Sequence, residues 1–288
     1  MIGPKSNKSP GQLMMDQVIF AAECIFDVEG NCLIEICDAH NDGQLLRGMK
    51  CTHPNVSFLY GIDELKNCGW DYAYCILLGF HAMANSGGVW DHTFRNDILH
   101  IWREGKDECI GEVTALILWA NSKSVPVALV SGEGPFAHEA DVFSIPTYTI
   151  STHTIPEQYA ALRQAIRSGV SCIRNVKYYA DEFKIFVEVD NADKLTLLDE
   201  KGYVIADGAV QFAGVEAFFN ELYCFAGDLN QAGRQIIYTN TEFARMLKKM
   251  DAQQDILREL SEILHKPLSL LDAADRDLIR RRMNLCGN

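Results

Sequence analysis

YAYCILLG, residues 72–79, carries no charge and closes on a glycine. PVALVS at 126–131 has the same texture. An apolar run of this length, with no polar residue at alternate positions, reads as a strand covered on both faces of a parallel sheet. Strand-like runs also lie at Cys32–Cys37 (CLIEIC), Val56–Tyr60, Ile98–Trp102 and Ile145–Ile150. Helical patterns fall between them. The first has Ser9 as its cap, Pro10 at the favoured first position, and Leu13, Met14, Val18, Ala21, Ala22 and Ile25 on one face, and Gly30 stops it. Glu112–Lys123 and Pro156–Arg167 are further helices. Strands and helices alternating over residues 10–170 predict an α/β fold, a largely parallel sheet flanked by helices with right-handed crossovers.

Residues 1–175 form this α/β domain. Residues 176–228, with strands at Lys184–Val189 and Tyr203–Ala206 and a helix at Val215–Ala226, read as a smaller α+β domain. Residues 229–288 read as a helical C-terminal extension. Thr239 and Glu242 make a capping box for a helix over Glu242–His265, Pro267 breaks it, and Asp272–Met283 forms the last helix.

The 288 residues are 48% hydrophobic and 23% charged, so the chain is neither disordered nor fibrous. A net charge of −13 provides no basic excess to displace counterions from DNA or RNA, and disfavours an anionic membrane surface. No apolar run approaches the roughly 20 residues of a membrane-spanning helix. Ten cysteines without a C-x-x-C pair are too sparse for a disulfide scaffold and point to a reducing cytoplasm.

Three places carry chemistry. Asp38-Ala39-His40 follows the strand Cys32–Cys37. His81 follows the strand Tyr72–Gly79, and His92 lies eleven residues further along the same Gly-containing loop. Gly111-Glu112 opens an apolar helix. The carboxyl ends of parallel strands open into one crevice, where ligands bind. Two histidines delivered there, with a glutamate at a nearby loop-to-helix junction, form a ligand set suited to zinc. Asp38, two residues before His40, is placed to ligate or to orient a ligand. Taken singly, each is more often a hydrogen-bonded loop residue or a first-turn glutamate; His100 is more often a packed polar residue than a support of the crevice.

The stretches CDAH (37–40), GFHAMANSGGVWDH (79–92), Gly111-Glu112 and VPVALVSGEG (125–134) together resemble the metal-dependent D-aminopeptidase family of bacterial dipeptide-transport operons. The resemblance extends over about residues 11–228, weakening in the second region, where VQFAGVEAFFNELY (210–223) is still similar. It implies a cytoplasmic zinc hydrolase that removes N-terminal, D-configured residues from short peptides as a homo-oligomeric ring. By the same resemblance His40, His81 and Glu112 are metal ligands and His92 is the catalytic histidine. One departure bears on the count of zinc ions, one or two. The family's opening strand, which precedes the first helix, ends in Asp-x-Glu, and residues 1–9 contain no such pair; Asp27-Val28-Glu29 has the spacing but lies at the far end of that helix. The expectation is that the chain starts at an internal methionine or that half the metal site is lost. Glu188 and Asp190, correctly spaced on one strand, are a remote substitute. The alternative function is a non-catalytic relative serving as a binding or assembly module.

Overall fold

The computed structural model describes residues 9–87, 92–105, 109–149, 155–173 and 183–239. Helix α1 (Pro10–Glu29) starts as its sequence dictates. Ser9 Oγ accepts from the Gln12 amide at 3.3 Å and Gln12 Oε1 accepts from the Ser9 amide at 2.9 Å, a reciprocal cap. Gly30, at φ 71°, ends it in a conformation that costs glycine little.

The parallel strands form two pieces. β1 (Ile34–Asp38) pairs with β2 (Val56–Tyr60), which is followed by α2 (Ile62–Asn67). The second piece has the order β3 (Cys75–Phe80), β5 (Val127–Gly132), β6 (Thr147–Thr149). β4 (Ile98–Arg103) belongs elsewhere, to an antiparallel sheet with β7 (Ile185–Val189), β9 (Ala209–Phe212) and β8 (Val204–Ala206). Strand β4 thus carries this sheet across the boundary expected near residue 175.

Side-chain burial separates two strands that look alike in sequence. β5, with a partner on each side, is buried at every position. β3 pairs only with β5 among the described strands and is at most half-buried throughout. An edge strand keeps one ladder of backbone groups and part of its side chains open, whatever its apolar content. The double coverage expected for Tyr72–Gly79 is found in β5 instead.

The core lies between these strands and their helices. Ala21 and Cys24 of α1 meet Leu129 of β5 and Leu162, Ile166 and Val170 of α5 (Ile155–Cys172). Helix α3 (Glu112–Ser122) is apolar nearly all round and buried over Val113–Asn121, as a helix without a polar face must be. Its Trp119 stacks on Phe219 of α7 (Val215–Thr239) at 4.2 Å between ring centroids. Short α4 (Ala137–Asp141) follows β5, and α6 (Ala192–Glu200) follows β7.

The chain divides into two units, Met1–Gly227 and Asp228–Asn288. Of the second, residues 228–239 are described, as the end of α7. The helices expected over Glu242–His265 and Asp272–Met283 lie outside the described residues. Among the described residues no helix is long and apolar enough to cross a membrane.

Candidate metal centre

The site is built where β3 ends against β5. Gly132 has no side chain because a Cβ there would stand 2.0 Å from the Phe80 carbonyl oxygen. That closeness lets the Glu133 amide donate to Phe80 O at 3.0 Å. The Glu133 carboxylate then accepts from the Ala82 amide at 2.9 Å. His81 is therefore held from both flanking residues by one glutamate. Gly79, at φ 79°, absorbs the irregular end of the strand, and its amide donates to Ser131 Oγ.

The imidazole of His81 is oriented too. Its Nδ1 lies 3.1 Å from Ala82 O, so the tautomer with hydrogen on Nδ1 donates there and leaves the Nε2 lone pair available. Nε2 faces Glu112 Oε1 at 3.4 Å, and both side chains are half-buried. Glu112 opens α3 and also accepts the Phe94 amide at 2.6 Å. His92 stacks on His81, with ring centroids 4.0 Å apart and planes 27° from parallel. Next to it, the hydroxyl of buried Thr93 accepts from the Ala84 amide at 3.0 Å. Donor atoms of His81, His92 and Glu112 all lie within 4.8 Å of one another. Two imidazoles and a carboxylate, one imidazole with its second nitrogen engaged, match zinc chemistry. The 3.4 Å between Nε2 and Oε1 is also about the separation of two donors on one ion with bonds near 2.1 Å.

Of the residues singled out in the sequence, three converge here. His40 does not join them. β1 ends at Asp38, one residue beyond CLIEIC, and His40, itself exposed, opens the 3-10 turn His40–Gly43. Asp38 is fully buried, accepting the Leu46 amide at 2.8 Å and the His40 amide at 3.2 Å. It thus fixes the backbone that presents His40. His100 Nδ1 lies 3.0 Å from Glu188, and Asp190 pairs with Lys194 at 2.6 Å; both of those carboxylates are engaged away from the cluster.

Two glutamates escaped the sequence reading. Glu133 follows β5 directly, so the same end-of-strand rule that selects His81 also reaches it. Glu139, in α4, is buried and accepts from Gly111 and Thr114 at the start of α3. Burial pushes its carboxyl above the ordinary carboxylate range, against the pull of those donors and with some help from the charge of Glu112.

A family model described as D-aminopeptidase matches residues 3–192. A D-aminopeptidase of Bacillus subtilis (strain 168) is 27% identical over 180 residues, 60% of each chain, so the match spans about 60% of that relative's length. The solved structure described as the Zn-dependent D-aminopeptidase DppA from Bacillus subtilis, a self-compartmentalizing protease, is similar with a TM-score of 0.68. Identity to it is 17%, with 76% of this chain and 86% of that one covered, a likeness of fold.

Proposed function

Because the chain belongs to the D-aminopeptidase family, we propose that it is a zinc-dependent aminopeptidase acting on short peptides with an N-terminal D-residue. The meeting of His81, His92 and Glu112 at the end of β3 is the observation that carries this. His81 and Glu112 would hold the metal; His40 lies outside their cluster, and its part as a further ligand rests on the family resemblance alone. Bound there, zinc supplies a Lewis acid for the scissile carbonyl and lowers the pKa of the attacking water.

The protein's own side chains do the rest. Water adds to the carbonyl carbon, the peptide C–N bond breaks, and the departing amine gains a proton. His92, stacked on His81 and anchored through Thr93, is placed to move that proton without being the principal ligand. Glu133 clamps the backbone on either side of His81 and keeps the imidazole aimed at Glu112. Asp38 sets the His40 turn. A homo-oligomeric assembly is part of this proposal, supported by the self-compartmentalizing description of the similar structure.

The test is hydrolysis of D-alanyl and L-alanyl dipeptides by zinc-loaded protein, followed by release of free alanine. Turnover of the D-peptide, abolished by chelation and by His81→Ala, is the expected result. Hydrolysis of neither peptide by metal-loaded protein contradicts the proposal and favours a binding module.

A further inference from the structure

Helix α3 begins at Gly111, a residue with no side chain to cap the amides of its first turn. The missing cap comes from another helix. Glu139 Oε2 accepts from the Gly111 amide at 2.9 Å, the Thr114 amide at 3.3 Å and the Thr114 hydroxyl at 3.0 Å. A Cβ at position 111 would stand 2.4 and 2.5 Å from the two Glu139 oxygens and 2.7 Å from Met83 Cβ. Glycine is thus required by the carboxylate beneath it. Glu139 is only 8% exposed, and its Oε1 has no hydrogen-bond partner among the described residues. A buried carboxylate with one oxygen unsatisfied is costly, and an ordinary cap needs none of that burial.

The consequence falls on Glu112. A first-turn glutamate is commonly drawn back to the free amides and the positive end of its own helix. Here the Thr114 amide is already taken from below. The Glu112 carboxylate is left to turn outward, toward His81 Nε2 and the Phe94 amide. We infer that Glu139 is a positioning residue for the metal centre: it anchors the first turn of α3 through Gly111 and Thr114, and so aims Glu112 at His81. The inference rests on the zinc-site proposal above, and one arm of its test is independent of metal.

The experiment compares wild type, Glu139→Ala, Glu139→Gln and Thr114→Val, all well below their melting temperatures. Zinc affinity of the apo-protein is measured by competition with a chromophoric chelator. Hydrogen–deuterium exchange of the metal-free protein is read over residues 92–97, which include the Phe94 amide. Glu139→Ala is expected to weaken zinc binding on the order of 10–100-fold, as loss of a group behind a ligand does. Exchange over 92–97 should accelerate by about tenfold or more as Glu112 releases that amide. Glutamine keeps an acceptor oxygen for the three donors, so Glu139→Gln should stay within about threefold of wild type in both readouts. Should Glu139→Ala not fold, Thr114→Val, which removes one donor, is expected to accelerate exchange over 92–97 while leaving exchange in β7 unchanged. Wild-type exchange over 92–97 in Glu139→Ala, or in Thr114→Val where that variant stands in, overturns the inference. Equal losses in the alanine and glutamine variants do so too. If wild type binds no zinc, the zinc-site proposal fails, and the exchange arm alone decides whether Glu139 aims Glu112.

Discussion

Replacing Gly132 by alanine should damage both the fold and the site. The new methyl would lie 2.0 Å from Phe80 O, 2.8 Å from the Phe80 carbonyl carbon and 3.0 Å from Phe136 Cδ1. Carbon–oxygen contacts are ordinarily no closer than about 3.3 Å, so β3 and β5 must part by about 1.3 Å at their carboxyl ends. Such overpacking costs about 1–3 kcal/mol, and losing the Glu133–Phe80 backbone hydrogen bond adds about 1 kcal/mol. A total of about 2–4 kcal/mol lowers the melting temperature by roughly 4–16 °C for a unit of this size. The shift displaces Phe80 and Ala82 together, so zinc affinity should fall as well. Gly134→Ala, two residues on, is the control: its Cβ meets nothing closer than 4.0 Å, and its stability should change by no more than about 0.5 kcal/mol. Differential scanning calorimetry compares the two. A Gly132→Ala protein melting within about 2 °C of wild type would refute the steric account of how β3 and β5 meet.

Two further outcomes follow from packing and polar burial. Trp119 is 1% exposed, stacks on Phe219 and meets Trp70 edge-on, while its indole N–H has no partner among the described residues. Trp119→Ala should therefore cost about 3–5 kcal/mol in thermal or urea unfolding, and Trp119→Phe, which forfeits no hydrogen bond, clearly less. Asp38→Ala leaves the buried Leu46 amide unpaired, a loss of about 1–3 kcal/mol, and Asp38→Asn, with one acceptor oxygen left, recovers part of it.

Much of this was legible from residues alone. The Ser9 cap and Gly30 stop of α1 are local chemistry, and local chemistry survives folding unchanged. The placement of β4 was not legible: its partner is β7, about ninety residues on, and an alternating element order does not say which strands pair. Apolar content could not rank β3 against β5, because burial depends on how many neighbours a strand has. In the site, His81 and Glu112 were singled out by the rule that functional groups gather at strand ends and helix starts, and the structure brings their side chains together. His40 was selected by the same rule, and the structure places it at the start of a 3-10 turn two residues past β1, outside the cluster. Glu139 left no signal, since its partners are 28 and 25 residues away and its own segment, AHEAD, reads as an ordinary surface helix.

His81, Glu112 and His92 are proposed to form one zinc centre in which the first two bind the metal and His92 moves the proton. The most direct measurement is metal content, by elemental analysis after gel filtration, of wild type, His81→Ala, Glu112→Gln and His92→Ala. Wild type should retain about one zinc per chain. His81→Ala and Glu112→Gln should lose it, whereas His92→Ala should keep most of its metal while D-alanyl peptide turnover drops on the order of a hundredfold. Wild-type zinc content in His81→Ala and Glu112→Gln would contradict the account, because the metal would then be held somewhere else.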